Sequence, residues 1–171
     1  LPLRKDGWLE ATTMDVLRGR LLRRLRAADR HGRLRVCYPH VPGLGDRWVS
    51  VHAKVLVMDD ELLRVGSANA SNRSMGLDTE CDLAVEAAGS GRVRQAVAAF
   101  RDGLLAEHLG VDRSAVAAEL AGRGSLAAVV DALRSDSGRS LRPLAGEVDP
   151  QVDRLVPDSA VIDPERPVDP E

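Results

Sequence analysis

With 171 residues, 44% of them hydrophobic and 29% charged, the chain is long enough for about one domain and too rich in core-forming side chains to be a disordered polymer. Aromatic residues make up only 2%, so Leu, Val and Ala must fill the core, and the ring platforms on which single-stranded nucleic acids stack are nearly missing. The net charge of −2 hides a polarity: residues 1–40 carry ten Lys/Arg against four acids, whereas from Pro143 onward eight acids face two arginines.

In chain order, Met14, Leu17, Leu21, Leu25 and Ala28 recur at three- and four-residue spacing with arginines between them, which predicts an amphipathic helix over residues 12–30, ended by His31-Gly32. Its arginines suit either a solvated face or an anionic lipid surface. Leu34, Val36 and Tyr38 alternate with Arg33, Arg35 and Cys37, predicting a strand that stops at Pro39. A loop with Pro42, Gly43 and Gly45 leads into Val51 to Met58, then Asp59-Asp60, then Leu62 to Val65: two strands about a tight acidic turn. Gly66 to Asp78 is polar and predicts a loop, and Cys81 to Glu86 alternates as a further strand. The period then becomes helical over residues 91–108, with shorter helices near 113–122 and 125–134. Beyond Ser135 the composition turns to Ser/Gly and then Pro/Asp, with six of the nine prolines from Pro143 on, predicting an extended linker or tail.

Cys37 and Cys81 are far apart and form no Cys/His cluster, so two buried, reduced thiols are expected and neither a zinc site nor a disulfide framework is indicated. No apolar run approaches the roughly 18 residues that a membrane-spanning helix requires, and the N-terminus lacks a signal pattern, so a soluble, cytoplasmic protein is expected. The start at Leu1-Pro2-Leu3, without Met, suggests a piece of a longer protein.

The chemistry is concentrated in VHAKVLVMDDELLRVGSAN, which fits H-x-K-x4-D-x6-G-S-x-N with His52, Lys54, Asp59, Gly66, Ser67 and Asn69. His52 and Lys54, two apart on a predicted strand, project from one face, and the hairpin returns the chain so that Ser67 and Asn69 arrive at the same end. Imidazole titrates near neutrality, so His52 suits a nucleophile or a proton donor. Lys54 offers a cation and Asn69 an amide donor to non-bridging phosphate oxygens, and Ser67 adds a hydroxyl. Gly66 permits a sharp turn and close backbone approach. Asp59 sits where a turn is wanted and suits an orienting carboxylate better than a base.

This set resembles the HKD signature of the phospholipase D superfamily. The following SNRSMGLDTECDLAVE is similar to bacterial phospholipase D-like and cardiolipin synthase-like proteins, in which an acid at the position of Glu80 contacts the catalytic histidine. The resemblance implies an α/β lobe with a mixed β-sheet flanked by helices on both faces, followed by short helices and an extended acidic tail. Residues 1–11 would form an interlobe connection, 12–134 the catalytic lobe with its C-terminal helices, and 135–171 a linker or tail. It also implies a phosphodiesterase or phosphatidyltransferase acting on phospholipids through a phosphohistidine, with no metal and no cofactor.

That reaction uses two histidines, and His31, His40 and His108 lack a Lys two residues on. The second motif would come from a missing upstream lobe, the favoured arrangement, or from a two-fold homodimer mate. With an upstream lobe, His52 would be the general acid. The segment RLVPDSAVIDPERPVDPE resembles relatives in which a membrane-embedded domain follows, so membrane association of a longer parent is an expectation. Two alternatives are a superfamily endonuclease working as a homodimer, which the few aromatics disfavour, and a non-catalytic phosphate-binding lobe.

Overall fold

The computed structural model describes residues 8–156, with side chains from Met14 onward. In chain order the elements are α1 (Trp8–Ala28), β1 (Cys37–His40), β2 (Lys54–Met58), β3 (Leu62–Gly66), α2 (Asn72–Gly76), β4 (Asp82–Glu86), α3 (Gly91–Leu109), α4 (Arg113–Arg123), α5 (Leu126–Leu133), β5 (Ser140–Pro143) and α6 (Pro150–Leu155). The chain is α/β, as expected. The described residues form two compact units, one from residues 8–51 and 101–155 and the other chiefly from 52–100. Where one mixed sheet was expected, the described residues form two antiparallel ones, β1-β5 in the first unit and β2-β3-β4 in the second.

In the first unit, a core of Ala106, Val116 and Val129 is enclosed by Leu105, Val111, Leu120 and Leu133. The connection from α4 to α5 is sharp because Gly124 takes the left-handed conformation at φ 64°, and Ser125 then caps α5 by accepting from the Ala128 N–H. Leu109, 2% exposed, closes α3.

Residues 140–155 correct the expectation of an unpacked tail. β5 pairs with β1 from Cys37↔Pro143 to His40↔Ser140, with Ser140 and Leu144 buried. The β1 strand also runs through Pro39 instead of stopping at it. A two-stranded ribbon tolerates this, because each strand needs its N–H groups on one side only. The acidic end is held by the basic one: Asp153 of α6 accepts from Arg20 Nε at 2.7 Å and Arg23 Nη2 at 2.9 Å, and Arg26 donates to the carbonyls of Leu144 and Ala145. Residues 157–171, the last part of the expected tail, lie outside the described residues, as do residues 1–7 of the expected interlobe connection; α1 already begins at Trp8.

The second unit is a three-stranded meander followed by the start of α3. At the β2-β3 turn Asp59 and Asp60 both have positive φ, 48° and 59°, and the Glu61 N–H donates to the Met58 carbonyl at 3.0 Å. That conformation suits the twist of a tight hairpin, and Asp tolerates it better than most side chains. Glu61 also accepts from Arg94 Nε of α3 at 2.6 Å. Strand alternation and register put Val55, Val57, Leu63, Val65, Leu83 and Val85 on one sheet face, on which Leu83 is 74% exposed. Both cysteines are unbridged. Cys37 is half-buried, but Cys81 is exposed, against the expectation that both are buried, because it borders β4, whose residues 83–86 are themselves exposed.

Replacing Leu109 with Ala removes a fully buried side chain, and urea denaturation is expected to show a loss of about 2–5 kcal/mol. The Arg20 and Arg23 guanidiniums hold the Asp153 carboxyl below its ordinary value, largest through the Arg20 hydrogen bond. A depressed carboxylate stabilises the fold above its unfolded-state pKa, and that contribution is lost as pH falls through the folded-state value. Asp153→Asn is therefore expected to lower Tm at neutral pH, with the gap to the parent chain narrowing in acid as the parent's Asp153 becomes protonated; a constant gap in a series of thermal melts would contradict this.

Candidate active site

The β2-β3-β4 register brings most of the motif to one end of the second unit's sheet. Lys54 at the start of β2 pairs with Gly66 at the end of β3, and Gly66 pairs with Asp82. Position 66 must be glycine here: a Cβ would lie 2.7 Å from the Asp82 Cα, a backbone atom that cannot swing aside. Asp82 accepts from Arg64 Nη2 at 2.9 Å and from the Ala68 N–H at 3.4 Å, so one carboxylate ties the end of β3 to the turn that carries Ser67 and Asn69. Arg64 and Asp82 are not motif positions, and nothing in their spacing along the sequence marks a pair that forms only when the strands align.

His52 lies just before β2 and is exposed, so it is not a strand residue as expected. Lys54 nevertheless curls back onto it, its Nζ 2.9 Å from His52 Nε2 and 2.9 Å from the His52 carbonyl oxygen. An ammonium group has only donors, so in this contact the His52 ring nitrogen is the acceptor.

Ser67 and Glu80 form a second pair. Ser67 Oγ donates to Glu80 Oε2 at 2.5 Å and accepts from the Cys81 N–H at 2.9 Å, while the Ser67 N–H donates to the Cys81 carbonyl at 3.1 Å. Glu80, expected beside His52, is thus placed against Ser67. The reason is register: with Gly66 opposite Asp82, the next residues to meet are Ser67 and Cys81, and Glu80 follows. Among the described residues no hydrogen bond joins the His52-Lys54 pair to the Ser67-Glu80 pair.

Asn69 is exposed and its Nδ2 reaches the buried Ser74 Oγ at 3.5 Å. The segment expected as loop here contains α2, whose N-cap Ser71 accepts from the Ser74 N–H at 3.3 Å. Asp59 stands apart at the hairpin turn, the full length of β2 from Lys54. With a rise of about 3.3 Å per strand residue, that separation is beyond hydrogen-bonding reach of His52.

The Phospholipase D family model matches residues 45–139, more than half of the chain, from before His52 to just before β5. The chain belongs to the phospholipase D family. No curated protein and no solved structure matches it. Among the described residues no helix is long and apolar enough to cross a membrane.

Gly66→Ala is expected to destabilise the chain by about 1–3 kcal/mol, the usual range for forcing atoms into a packed site. Gly76→Ala is the control, since a Cβ there meets no atom within 4 Å. Comparable urea midpoints for the two variants would show that the Gly66-Asp82 contact does not constrain the turn.

Proposed function

We propose that the chain supplies one half-site of a metal-independent phospholipase D-type phosphodiesterase or phosphatidyltransferase that acts on phospholipids. The observation that carries this reading is Lys54 Nζ at 2.9 Å from His52 Nε2, which pairs a proton-transfer group with a cation suited to phosphate. The Lys54 ammonium caps the reactive nitrogen. A phosphodiester would draw Lys54 onto its non-bridging oxygens and uncap Nε2 where the reacting ester oxygen arrives.

The second half-site is another H-x-K-x4-D motif, from an upstream lobe or from a second copy of the chain. Its histidine attacks phosphorus, forming an N–P bond as the P–O ester bond breaks. Once uncapped, His52 Nε2 takes up a proton from solvent to give an imidazolium, and the leaving oxygen takes that proton. Water or an alcohol then attacks the phosphohistidine, forming a new P–O bond as the N–P bond breaks and returning its proton to His52, which gives hydrolysis or transfer. Ser67 has one hydroxyl proton, already donated to Glu80, so phosphate holding falls to Lys54 and Asn69, with Ser67 and Glu80 fixing the turn between them. Asp59 shapes the hairpin.

The test is turnover of a short-chain phosphatidylcholine and of DNA by the protein assembled with its second motif, in excess chelator. His52→Ala is expected to lower lipid turnover by about 10²–10⁴-fold, the range for loss of general acid-base catalysis. Unchanged lipid turnover in that variant sinks the catalytic role of His52, and cleavage of DNA with no lipid turnover replaces the lipid reading with the nuclease one.

A further inference from the structure

The first unit contains a cleft of about 330 Å³ where α1, β1 and the end of α5 meet, and its polar lining is strongly one-sided: Arg26, Arg35 and Arg134 against the single carboxylate of Asp131. We propose that this cleft binds a phosphate-bearing anion, held chiefly by Arg134 and supported by the fixed positive charge of Arg26 and Arg35. The proposal does not depend on the catalytic reading above, since every residue it uses belongs to the first unit.

The three guanidiniums differ in what they have left to offer. Arg35 is locked: its Nε and Nη2 grip Asp131 at 2.6 to 3.0 Å, and its Nη1 donates to the carbonyls of Gly32 and Leu34. Arg26 directs Nη1 and Nη2 to the carbonyls of Ala145 and Leu144, neutral acceptors that leave its charge uncompensated. Arg134, at the C-cap of α5, has no side-chain hydrogen bond or ion pair among the described residues, and its whole planar donor fork remains available. Asp131 neutralises one of three positive charges and serves to fix Arg35 in place. Clefts walled by apolar groups and lined by one sign of charge concentrate that field, and arginine forks match the paired oxygens of phosphate.

Val36 and Pro143 supply an apolar part of the wall, which suits a phosphate ester better than a bare inorganic ion. Cys37 lines the same cleft. Burial pushes its thiol pKa up while the nearby Arg134 and Arg35 charges pull it down, which places both guanidiniums within electrostatic reach of the sulfur. The alternative role for Arg134 is to complement the negative end of the α5 dipole. That role needs only a charge and no ligand.

Cys37 provides the reporter. The intact chain is alkylated with N-ethylmaleimide in the presence of inorganic phosphate, of dihexanoyl phosphatidate, or of chloride at matched ionic strength, and the rate at Cys37 is followed by peptide mass mapping. Phosphate at about ten times its dissociation constant is expected to slow Cys37 modification about tenfold relative to chloride, by simple mass action. Arg134→Gln is expected to remove the protection. Arg134→Lys keeps the charge at the helix end, but one ammonium cannot make two parallel bonds, so it is expected to need more phosphate for the same effect. Protection by phosphatidate at much lower concentration than by phosphate identifies a lipid headgroup as the source, and equal potency identifies a free phosphate. No protection by either anion beyond that of chloride, or undiminished protection in both Arg134 variants, would overturn the proposal.

Discussion

Gly66 and Asp82 face each other across β3 and β4 with no room for a side chain on the glycine, and that close approach fixes where the candidate site's groups stand. Because the two residues pair, Lys54 lies opposite Gly66 on the other neighbour, Ser67 meets Cys81, and Glu80 falls beside the Ser67 hydroxyl. A slip of one residue would turn every side chain of β4 to the opposite face and dissolve the Arg64-Asp82-Ala68 tie. The tie acts with the Ser67 hydrogen bonds to Glu80 and Cys81 to position the irregular backbone that carries Ser67 and Asn69.

Of the six motif positions, His52 and Lys54 are joined by a direct contact, Gly66 and Ser67 share the same end of the sheet, and Asn69 follows on the turn toward α2. Asp59 shares the motif but not the place. Its positive φ and its position at the far end of β2 tie it to the shape of the hairpin. A sequence motif can thus hold residues that build the scaffold beside residues that hold a ligand, with nothing in their spacing to separate them.

Among the described residues, part of the chain's charge polarity is met by internal pairing. Arginines from the basic front reach residues near the acidic end: Arg20 and Arg23 meet Asp153, and Arg26 meets the Leu144 and Ala145 carbonyls. A helix whose guanidiniums point at its own chain has fewer left for a lipid surface. The same pairing explains why composition misjudged residues 140–155: proline and acid content suggests an unpacked tail, but β5 needs only a strand to pair with and α6 only two arginines to hold it.

The helices α1, α3, α4 and α5, the β2-β3 hairpin and β4 were legible in the sequence, because each is marked by a local period or by turn chemistry that neighbours in the chain dictate. The motif was legible too, since fixed spacing along the chain survives whatever the tertiary structure does. What the sequence could not supply is every relation between distant segments: β1 pairing with β5 through Pro39, Glu80 turning to Ser67 instead of His52, Asp82 closing on Gly66, and the Arg134 fork left open beside Cys37. Those depend on strand register and on which charges find partners first, and both are decided by packing across many residues of separation. The residue types, and hence the family, were set by the sequence alone; which of those residues touch one another and which shape the hairpin was decided only in three dimensions, by strand register.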